Sequence, residues 1–245
     1  MNTEDQRDRL FRQRAPKTGS FDFGPETARV FDDMVARSVP CYDEIQRMIA
    51  EIAADFATPG SAVYDLGCST GAAFPRLDRR LPPQVRLVGV DASPAMLARA
   101  RARLQAAGLS RPVTLECRDL NEGLRLEGAS VAILNLTLQF IRPLRRAALI
   151  RDIAAGLPEG GCLILVEKVL SPHSLVNSLY SKYHHDFKRR NGYDELEITR
   201  KREALENVLV PYHAHENEAL LLDNGFRSCD GFFRWYNFCG LLAIR

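Results

Sequence analysis

A short stretch at positions 63–71, VYDLGCSTG, constrains the fold more than any other part of the chain. Its apolar residues, followed by an acid, are typical of a short buried strand. Gly67 and Gly71 then supply turn dihedrals that a side chain would oppose. In doubly wound α/β proteins such a loop leads from the first strand into a helix, beside the point where the strand order reverses and ligands bind. The stretch therefore predicts an α/β fold with a ligand site at this loop.

The spacing of the loop indicates which ligand it would hold. A pyrophosphate cradle is spaced G-x-G-x-x-G, whereas residues 65–71 are spaced D-x-G-x-x-x-G. The second spacing is that of S-adenosylmethionine (SAM) sites, in which the loop runs under the methionine and ribose and no phosphate has to be held. A tight strand-to-helix turn that binds no ligand is the alternative.

Apolar strands alternate with helical segments over most of the chain. Five central strands are predicted at residues 62–66, 85–90, 113–117, 131–134 and 162–166. Continuous apolar strands separated by helices indicate a parallel sheet covered on both faces. Two final strands, at residues 231–236 and 238–244, would add an antiparallel C-terminal strand. The prediction is a Rossmann-like SAM-methyltransferase fold with a mostly parallel seven-stranded sheet.

The length of 245 residues fits one large domain. We predict a mobile polar tail over residues 1–20 and a single SAM-binding domain over residues 21–245. Within the domain, a helical lid at residues 21–58 would cover the carboxyl end of the first strand. A mostly helical insert would occupy residues 171–224.

Composition narrows the function classes. A formal net charge of +2, with short basic clusters such as residues 188–190 and 200–202, predicts no direct nucleic-acid binding. The six cysteines are scattered and form no C-x-x-C pair, which favours a reduced, cytoplasmic location. No apolar run approaches the ~18 residues of a membrane span. The polar N-terminus is not typical of a secretory signal, so we expect a soluble cytoplasmic protein without membrane contact.

Polar side chains follow three of the predicted strands, at the sheet edge where ligands bind. Asp91 can accept both ribose hydroxyls or can cap the helix that Ser93 begins. Asp119 would face an adenine amino group, with Leu120 against the ring, or would stay solvated. Asn135 would bond a ligand or loop backbone, because a buried amide needs partners.

One arginine in a polar helix is predicted to point inward. Ile198, Arg202, Leu205 and Leu209 step by four, three and four residues, so the arginine shares the apolar stripe. The two basic residues before it are predicted to face solvent. A buried guanidinium needs an anion, and its planar fork matches a carboxylate. The partner is an anionic substrate or product, or a glutamate in a structural ion pair.

No pattern in the sequence predicts a metal or a nucleophile. His184 and His185 project about 100° apart on a helix and lack companions at ligand spacing, so a structural or interface role is favoured. Cys68 is a small thiol that fits the ligand loop. It has no paired histidine or second cysteine that would indicate nucleophilic catalysis.

Several segments together resemble the carboxy-S-adenosyl-L-methionine synthase family. They are SVP with Tyr42, VYDLGCS at 63–69, NLTLQF at 135–140, HHDFKR at 184–189, and KR with LENV at 201–208. The resemblance runs from about residue 21 to the C-terminus. It implies a homodimeric enzyme, in which the helical insert is a candidate interface.

The resemblance implies an unusual reaction. Prephenate loses its ring carboxylate as CO2 and becomes phenylpyruvate, while the sulfonium methyl of SAM is deprotonated to an ylide that captures the CO2. No protein general base is needed if prephenate breakdown generates hydroxide. The product, carboxy-SAM, is the carboxymethyl donor for uridine 5-oxyacetic acid at the wobble position of bacterial tRNA.

The resemblance also implies site residues. The nucleoside or its carboxylate would be contacted by Tyr42, Gly67, Cys68, Ser69, Asp91, Ala92, Asp119, Leu120, Asn135 and Arg202. Among these, Arg202 would pair with the new carboxylate and act in catalysis. Two alternatives remain: a SAM-dependent methyltransferase in which Arg202 grips a small anionic acceptor, and a SAM-binding regulatory or scaffold protein that does no chemistry.

Overall fold

The computed structural model describes residues 7–13 and 18–245 of the chain. Within these residues, eight strands form one sheet. The strands are β1 (Ala62–Leu66), β2 (Arg86–Asp91), β3 (Val113–Cys117), β4 (Ala129–Asn135), β5 (Cys162–Leu170), β6 (Tyr212–His213), β7 (Ser228–Trp235) and β8 (Phe238–Ile244).

Helices connect these strands and cover both faces of the sheet. The described α-helices are α1 (Leu10–Gln13), α2 (Pro25–Ser38), α3 (Tyr42–Phe56), α4 (Phe74–Arg80), α5 (Pro94–Ala107), α6 (Pro143–Gly156), α7 (Ser174–Arg190), α8 (Glu195–Leu205) and α9 (Ala214–Leu222). In the part of the chain that the structure describes, none of them combines the length and apolar character needed to cross a membrane.

The strands lie in the order β3-β2-β1-β4-β5-β8-β7. Strands β1 to β5 pair in parallel, whereas β8 runs antiparallel to both of its neighbours, β5 and β7. This arrangement confirms the predicted mostly parallel sheet with an antiparallel C-terminal strand. The short strand β6, which the sequence does not predict, pairs with β5 outside this path and raises the number of strands from seven to eight.

Strand β1 is the point at which the strand order reverses. It pairs with β2 on one side and with β4 on the other. All five of its residues are buried, and they alternate between two apolar cores. Tyr64 and Leu66 pack with α6 and α9 residues on one face, and Val63 packs with α3, α4 and α5 residues on the other. The carboxyl ends of three adjacent strands therefore surround one crevice.

Part of the predicted N-terminal tail packs onto the domain. Residues 1–6 and 14–17 of that tail lie outside the described residues. Asp8 is buried, accepts a hydrogen bond from the Tyr193 hydroxyl at 2.5 Å and lies 3.7 Å from the Lys201 ammonium. Asp8 therefore belongs to a buried polar cluster, where the sequence predicts a mobile tail, because a tyrosine and a lysine distant in sequence supply its partners.

Candidate active site

A cavity of about 440 Å³ opens at the carboxyl ends of β1, β2 and β4. The loop after β1 contributes to its lining, together with residues of α2, α3, α7 and α8. Its volume lies in the range of small-molecule sites. The predicted site residues that line it are Tyr42, Gly67, Cys68, Ser69, Asp91, Ala92, Asp119, Leu120 and Asn135.

The loop after β1 adopts left-handed backbone at three positions. The φ angle is 85° at Gly67, 72° at Gly71 and 51° at Ser69. A Cβ atom on Gly67 would lie 2.3 Å from Oγ1 of Thr137, so the loop after β4 leaves no room for a side chain. The backbone N–H of Ser69 donates to Oδ2 of Asp91 at 2.8 Å, which holds the serine in this uncommon conformation. Glycine at 67 is therefore required by both backbone angle and space.

Asp91 connects the first two βα turns. Its Oδ2 accepts the Ser69 N–H and its Oδ1 accepts the Ser93 N–H, each at 2.8 Å. The Ser93 hydroxyl in turn caps α5 by accepting the Met96 N–H at 3.1 Å. A carboxylate offers about four lone-pair sites. Asp91 can therefore support the loop and still accept hydrogen bonds from ligand hydroxyls in the cavity.

Asp65 is a second carboxylate in the cavity lining, and it is not among the site residues predicted from the sequence. It lies on β1, is buried, and has no side-chain hydrogen bond to the described residues. Burial, and to a lesser extent the charge of Asp91, raise the pKa of Asp65 to about 7. A cationic ligand group beside it would compensate the desolvated charge. The signal in the sequence is the acid that opens the D-x-G-x-x-x-G spacing.

Asp119 and Leu120 line the cavity after β3. Oδ1 of Asp119 accepts from the backbone N–H of Asn121 at 2.9 Å and from its Nδ2 at 2.8 Å. Leu120 is buried. The second oxygen of Asp119 can accept from a ligand, while Leu120 offers an apolar surface for a ring.

Three buried amide oxygens in the cavity lining lack donors among the described residues. They are Oε1 of Gln46, Oδ1 of Asn135 and Oε1 of Gln139. A buried acceptor without a donor costs about 1–3 kcal/mol. The cavity therefore suits a ligand that brings N–H and O–H groups. SAM carries an ammonium, two ribose hydroxyls and an adenine amino group, so the residues present fit it.

Tyr42, the first residue of α3, presents a neutral phenol to the cavity. Its oxygen accepts a hydrogen bond from Nε2 of Gln46 at 2.8 Å. Burial raises the pKa of Tyr42 to about 12. The hydroxyl proton is therefore retained at neutral pH and can be donated to a ligand.

A buried carboxylate positions the loop after β4. Glu167 accepts the backbone N–H groups of Leu138 at 2.8 Å and Gln139 at 3.0 Å. Burial raises the pKa of Glu167 to about 8, although these two hydrogen bonds and Arg146 oppose the shift. Arg146, also buried, donates to the carbonyl oxygens of Gln139 at 3.2 Å and Val210 at 2.7 Å. Glu167 and Arg146 therefore hold in place the loop after β4, which packs against Gly67.

Three lysines from separate elements line the same cavity. Lys168 lies on β5, Lys188 on α7 and Lys201 on α8. The Lys201 ammonium donates to the Ser38 hydroxyl at 3.0 Å and lies 3.7 Å from the Asp8 carboxylate. None of the three is predicted from the sequence as a site residue, and Lys201 is predicted to face solvent.

The predicted inward orientation of Arg202 is wrong for the single chain. Arg202 is exposed and does not line the cavity, whereas Lys201 is 6% exposed and does. The buried residues of α8 are Glu197, Ile198, Lys201 and Ala204. This stripe is rotated by about 100°, one residue, from the predicted one. Asp8 and Ser38 supply the polar partners that make burial of the lysine tolerable.

His184 has a structural role in this chain. It is buried, and its Nε2 lies 2.8 Å from the carbonyl oxygen of Ser38. Its ring meets those of Phe238 and Trp235 edge-on. Burial and the neighbouring lysines lower the pKa of His184, so the imidazole is neutral. The described residues contain no group of three or more His, Cys, Asp or Glu that could hold a metal ion.

Cys68 is a packing residue of the glycine loop. Its side chain is buried in the apolar core, and its sulfur would lie 2.9 Å from a Cβ atom built on Gly89. Burial raises the pKa of the Cys68 thiol, so the nucleophilic thiolate is disfavoured.

Aromatic side chains that the sequence does not single out form an apolar wall of the cavity. Phe23 contacts Phe31 at a ring-centroid distance of 6.2 Å and Phe140 at 5.0 Å, both edge-to-face. All three line the cavity. The wall combines a residue before α2, a residue of α2 and a residue after β4, so only the folded chain brings it together.

The chain is similar to known proteins both in sequence and in fold. The sequence profile described as "Methyltransferase domain" matches residues 63–161. A protein of Methylococcus capsulatus named carboxy-S-adenosyl-L-methionine synthase is 52% identical over 98% of this chain and 99% of its own length. One of Trichlorobacter lovleyi with the same name is 47% identical, over 92% of this chain and 93% of its own.

Solved structures share the fold. The crystal structure of apo SibL, a SAM-dependent methyltransferase, superposes with a TM-score of 0.61 at 15% identity. The match covers 90% of this chain but only 58% of that one. At this identity the likeness concerns the fold alone, and it confirms the predicted Rossmann-like methyltransferase architecture.

Proposed function

Because the chain belongs to the carboxy-S-adenosyl-L-methionine synthase family, we propose that it converts SAM and prephenate into carboxy-SAM and phenylpyruvate. The observation that carries the proposal is the 52% identity to a synthase of this name, which extends over nearly all of both chains. The binding of SAM is supported by the loop at residues 65–71 and by the cavity, whose buried amide oxygens lack hydrogen-bond donors among the described residues.

In this proposal the cavity binds SAM through the polar groups of the ligand. Asp91 accepts the ribose hydroxyls with the lone pairs that Ser69 and Ser93 leave free. Asp119 accepts the adenine amino group, and Leu120 packs on the ring. The ammonium of SAM lies toward Asp65, whose buried carboxylate gains a compensating charge.

The reaction balances without a further reactant. The bond between the ring carbon of prephenate and its carboxylate breaks, the electron pair makes the ring aromatic, and the ring hydroxyl leaves as hydroxide. Hydroxide takes a proton from the sulfonium methyl and becomes water. The resulting ylide carbon forms a bond to the released CO2. No general base of the protein is needed, because the substrate supplies it.

The protein contributes to the reaction by enclosing the reactants and excluding bulk water. An ylide is reprotonated by any nearby acid, so bulk water has to be excluded while CO2 is captured. Phe23, Phe31 and Phe140 supply an apolar wall for this purpose. Holding CO2 beside the methyl carbon also replaces a bimolecular encounter by a local one.

Arg202 keeps its proposed role as a partner of the new carboxylate, from outside its own cavity. Its guanidinium is exposed on α8 and lies close enough to His185 on α7 to help lower the pKa of that histidine. A contact with carboxy-SAM would therefore come from a second copy, in a homodimer whose interface includes α7 and α8.

The biological setting belongs to the same proposal. Carboxy-SAM would serve as the carboxymethyl donor for uridine 5-oxyacetic acid at the tRNA wobble position. All six cysteines are free thiols, as expected for the reducing cytoplasm.

Incubation of the purified protein with SAM, with and without prephenate, tests the proposal by mass spectrometry of the nucleosides. We expect a prephenate-dependent species heavier than SAM by one CO2. Prephenate labelled isotopically at its ring carboxylate should pass the label to this species. A SAM-binding sample that yields no such species contradicts the proposal.

A methyltransferase acting on a small anionic molecule is the second candidate, favoured by the match of residues 63–161 to a methyltransferase profile and by the lysines in the cavity. It predicts S-adenosylhomocysteine as the product instead. A SAM-binding protein without chemistry would leave SAM unchanged in both incubations.

A further inference from the structure

Two lysine side chains in the cavity have no partner in the part of the chain that the structure describes. Lys168 and Lys188 both line it. Among the described residues, neither ammonium makes a hydrogen bond or an ion pair. The carboxylates of the cavity lining lie on β1 (Asp65), at the end of β2 (Asp91) and after β3 (Asp119), whereas Lys168 lies on β5. Negative and positive charge are therefore separated within one site.

Lys201 provides an internal comparison. Its ammonium is already engaged by the Ser38 hydroxyl at 3.0 Å and the Asp8 carboxylate at 3.7 Å, and it lies 5.3 Å from the centre of the Tyr193 ring. The fold thus provides one cavity lysine with structural partners. It leaves the other two without them.

Lys168 and Lys188 are half-buried, and their partial desolvation makes these unpaired cations costly. Desolvation lowers the pKa of Lys168, and it lowers that of Lys188 well below 10.5, with further contributions from Lys201 and Lys168. Lys188 and Lys168 are therefore close enough to repel each other. His184, whose pKa both lysines help to lower, is neutral and offers no counter-charge. A protein gains by keeping such a pair only if a ligand neutralises it.

SAM does not supply this neutralisation. It carries one carboxylate but also an ammonium and a sulfonium, so its binding adds net positive charge. Two ammonium groups on different elements are matched by a dianion with two separated carboxylates. Lys168 lies two residues beyond Val166, which pairs in register with Asn135, so an anion at Lys168 is next to the cavity residue at the end of β4.

We propose that Lys168 and Lys188 bind the two carboxylates of the second substrate, a small cyclic dicarboxylate of the prephenate class. The inference deepens the proposed function and rests on it. Phe238, which pairs with Lys168 across β5 and β8, and Leu205 line the same cavity and provide apolar surface for the ring. The lysines orient the carboxylate that leaves as CO2 beside the sulfonium methyl.

The test measures binding without turnover. Calorimetric titration of prephenate into protein saturated with S-adenosylhomocysteine, which lacks the reactive methyl, gives its affinity. Lys168→Met and Lys188→Met should each weaken prephenate binding roughly 10- to 100-fold, the effect of losing a charge-assisted hydrogen bond. Affinity for S-adenosylhomocysteine should stay within about threefold, because the nucleoside contacts are intact. Lys188→Arg should restore part of the loss.

Lys182→Met is the matched control. Lys182 lies on the same helix as Lys188, is exposed, and does not line the cavity. It should bind prephenate as the wild type does. The two cavity variants are expected to fold, because methionine keeps the volume and removes an unpaired charge.

The outcomes separate the inference from the proposed function. If the wild type binds prephenate through the lysines but forms no carboxy-SAM, the proposed reaction fails and the dicarboxylate site stands. If Lys168→Met and Lys188→Met bind prephenate like the wild type, or if the wild type does not bind it, the inference is overturned. It is overturned equally if both variants lose S-adenosylhomocysteine to the same extent, since the lysines would then hold the methionine carboxylate.

Discussion

The carboxylate of Asp91 accepts the backbone N–H of Ser69 at 2.8 Å, across the gap between the ends of β2 and β1. Its other oxygen accepts the N–H of Ser93 at the same distance. One side chain therefore holds the left-handed glycine loop, starts the second βα turn and faces the cavity. Loop conformation and ligand affinity are coupled through it.

Asp91→Asn should weaken SAM binding roughly 10- to 100-fold, because charge-assisted bonds to the ribose are lost. The new amide also turns a donor toward one backbone N–H, so the free energy of unfolding should fall by about 1–3 kcal/mol. Calorimetry and urea unfolding measure the two effects. Asp55→Asn, at an exposed position near the end of α3, is the control. Equal losses in both variants would show that the effect is not local.

Gly67→Ala should abolish SAM binding, whereas Gly60→Ala should not. Both glycines have nearly the same backbone angle, with φ of +85° and +84°. Either alanine therefore costs about 1–2 kcal/mol of left-handed strain. Only at Gly67 does the new Cβ meet Thr137, whereas nothing lies within 4 Å of it at Gly60. Thermal melts with and without SAM distinguish the two, and a SAM-induced shift in the Gly67 variant would contradict the steric argument.

Asp65 should make the ligand-free protein less stable as pH rises. Its pKa is about 7 in the folded chain and 3.8 in the reference state. Between these values the folded state keeps a proton that the unfolded state has lost. The stability that Asp65 contributes is therefore complete below pH 4 and decreases as the pH rises to 7. The loss amounts to about 4 kcal/mol for this shift.

Asp65→Asn should remove this dependence of stability on pH. The difference in unfolding free energy between the variant and the wild type should therefore grow in favour of the variant from pH 4 to pH 8, as measured by urea titration. Glu167, whose pKa is also raised, is common to both proteins and cancels in the difference. A constant difference across this range would mean that Asp65 is ionised throughout.

Asp8 and Lys201 should show a non-additive effect on stability. Removing one member of a buried ion pair leaves the other uncompensated, which costs about 3–5 kcal/mol. Asp8→Asn and Lys201→Met should each destabilise the protein, and the double variant should be destabilised by less than the sum. Urea unfolding of the four proteins gives the coupling energy. Strict additivity would mean that the 3.7 Å contact carries no coupling.

The sheet could be predicted because its signals are local. Buried strands show as apolar runs, and Ser93 followed by Pro94 correctly predicts an N-cap with proline in the first turn. Strand β6 could not be predicted, since two residues carry no periodicity and depend on pairing with β5. The main strands could therefore be predicted from the sequence, whereas the pairing of β6 with β5 could not.

The glycine-loop part of the cavity could also be predicted, because Asp91 and Asn135 end the two predicted strands that flank β1 in a sheet of this kind. The cationic part could not. The choice between Lys201 and Arg202 depends on Asp8, far away in sequence, which supplies the buried partner of the lysine. A helical stripe read from apolar residues alone misses a rotation of one position. Lys168 and Lys188 converge only through the folding of α7 onto the sheet.

Arg202→Ala should weaken carboxy-SAM binding roughly 10- to 100-fold and leave SAM binding unchanged, because the lost charge-assisted bond goes to a group that only the product has. Since Arg202 is exposed on its own chain, the difference should vanish in protein diluted below the dissociation constant of the proposed homodimer. Calorimetry at high concentration and fluorescence binding at low concentration measure this. Arg79→Ala, at the exposed end of α4, is the control and should bind both ligands normally. Equal weakening of SAM and carboxy-SAM, or no weakening of either, would contradict the pairing of Arg202 with the product carboxylate.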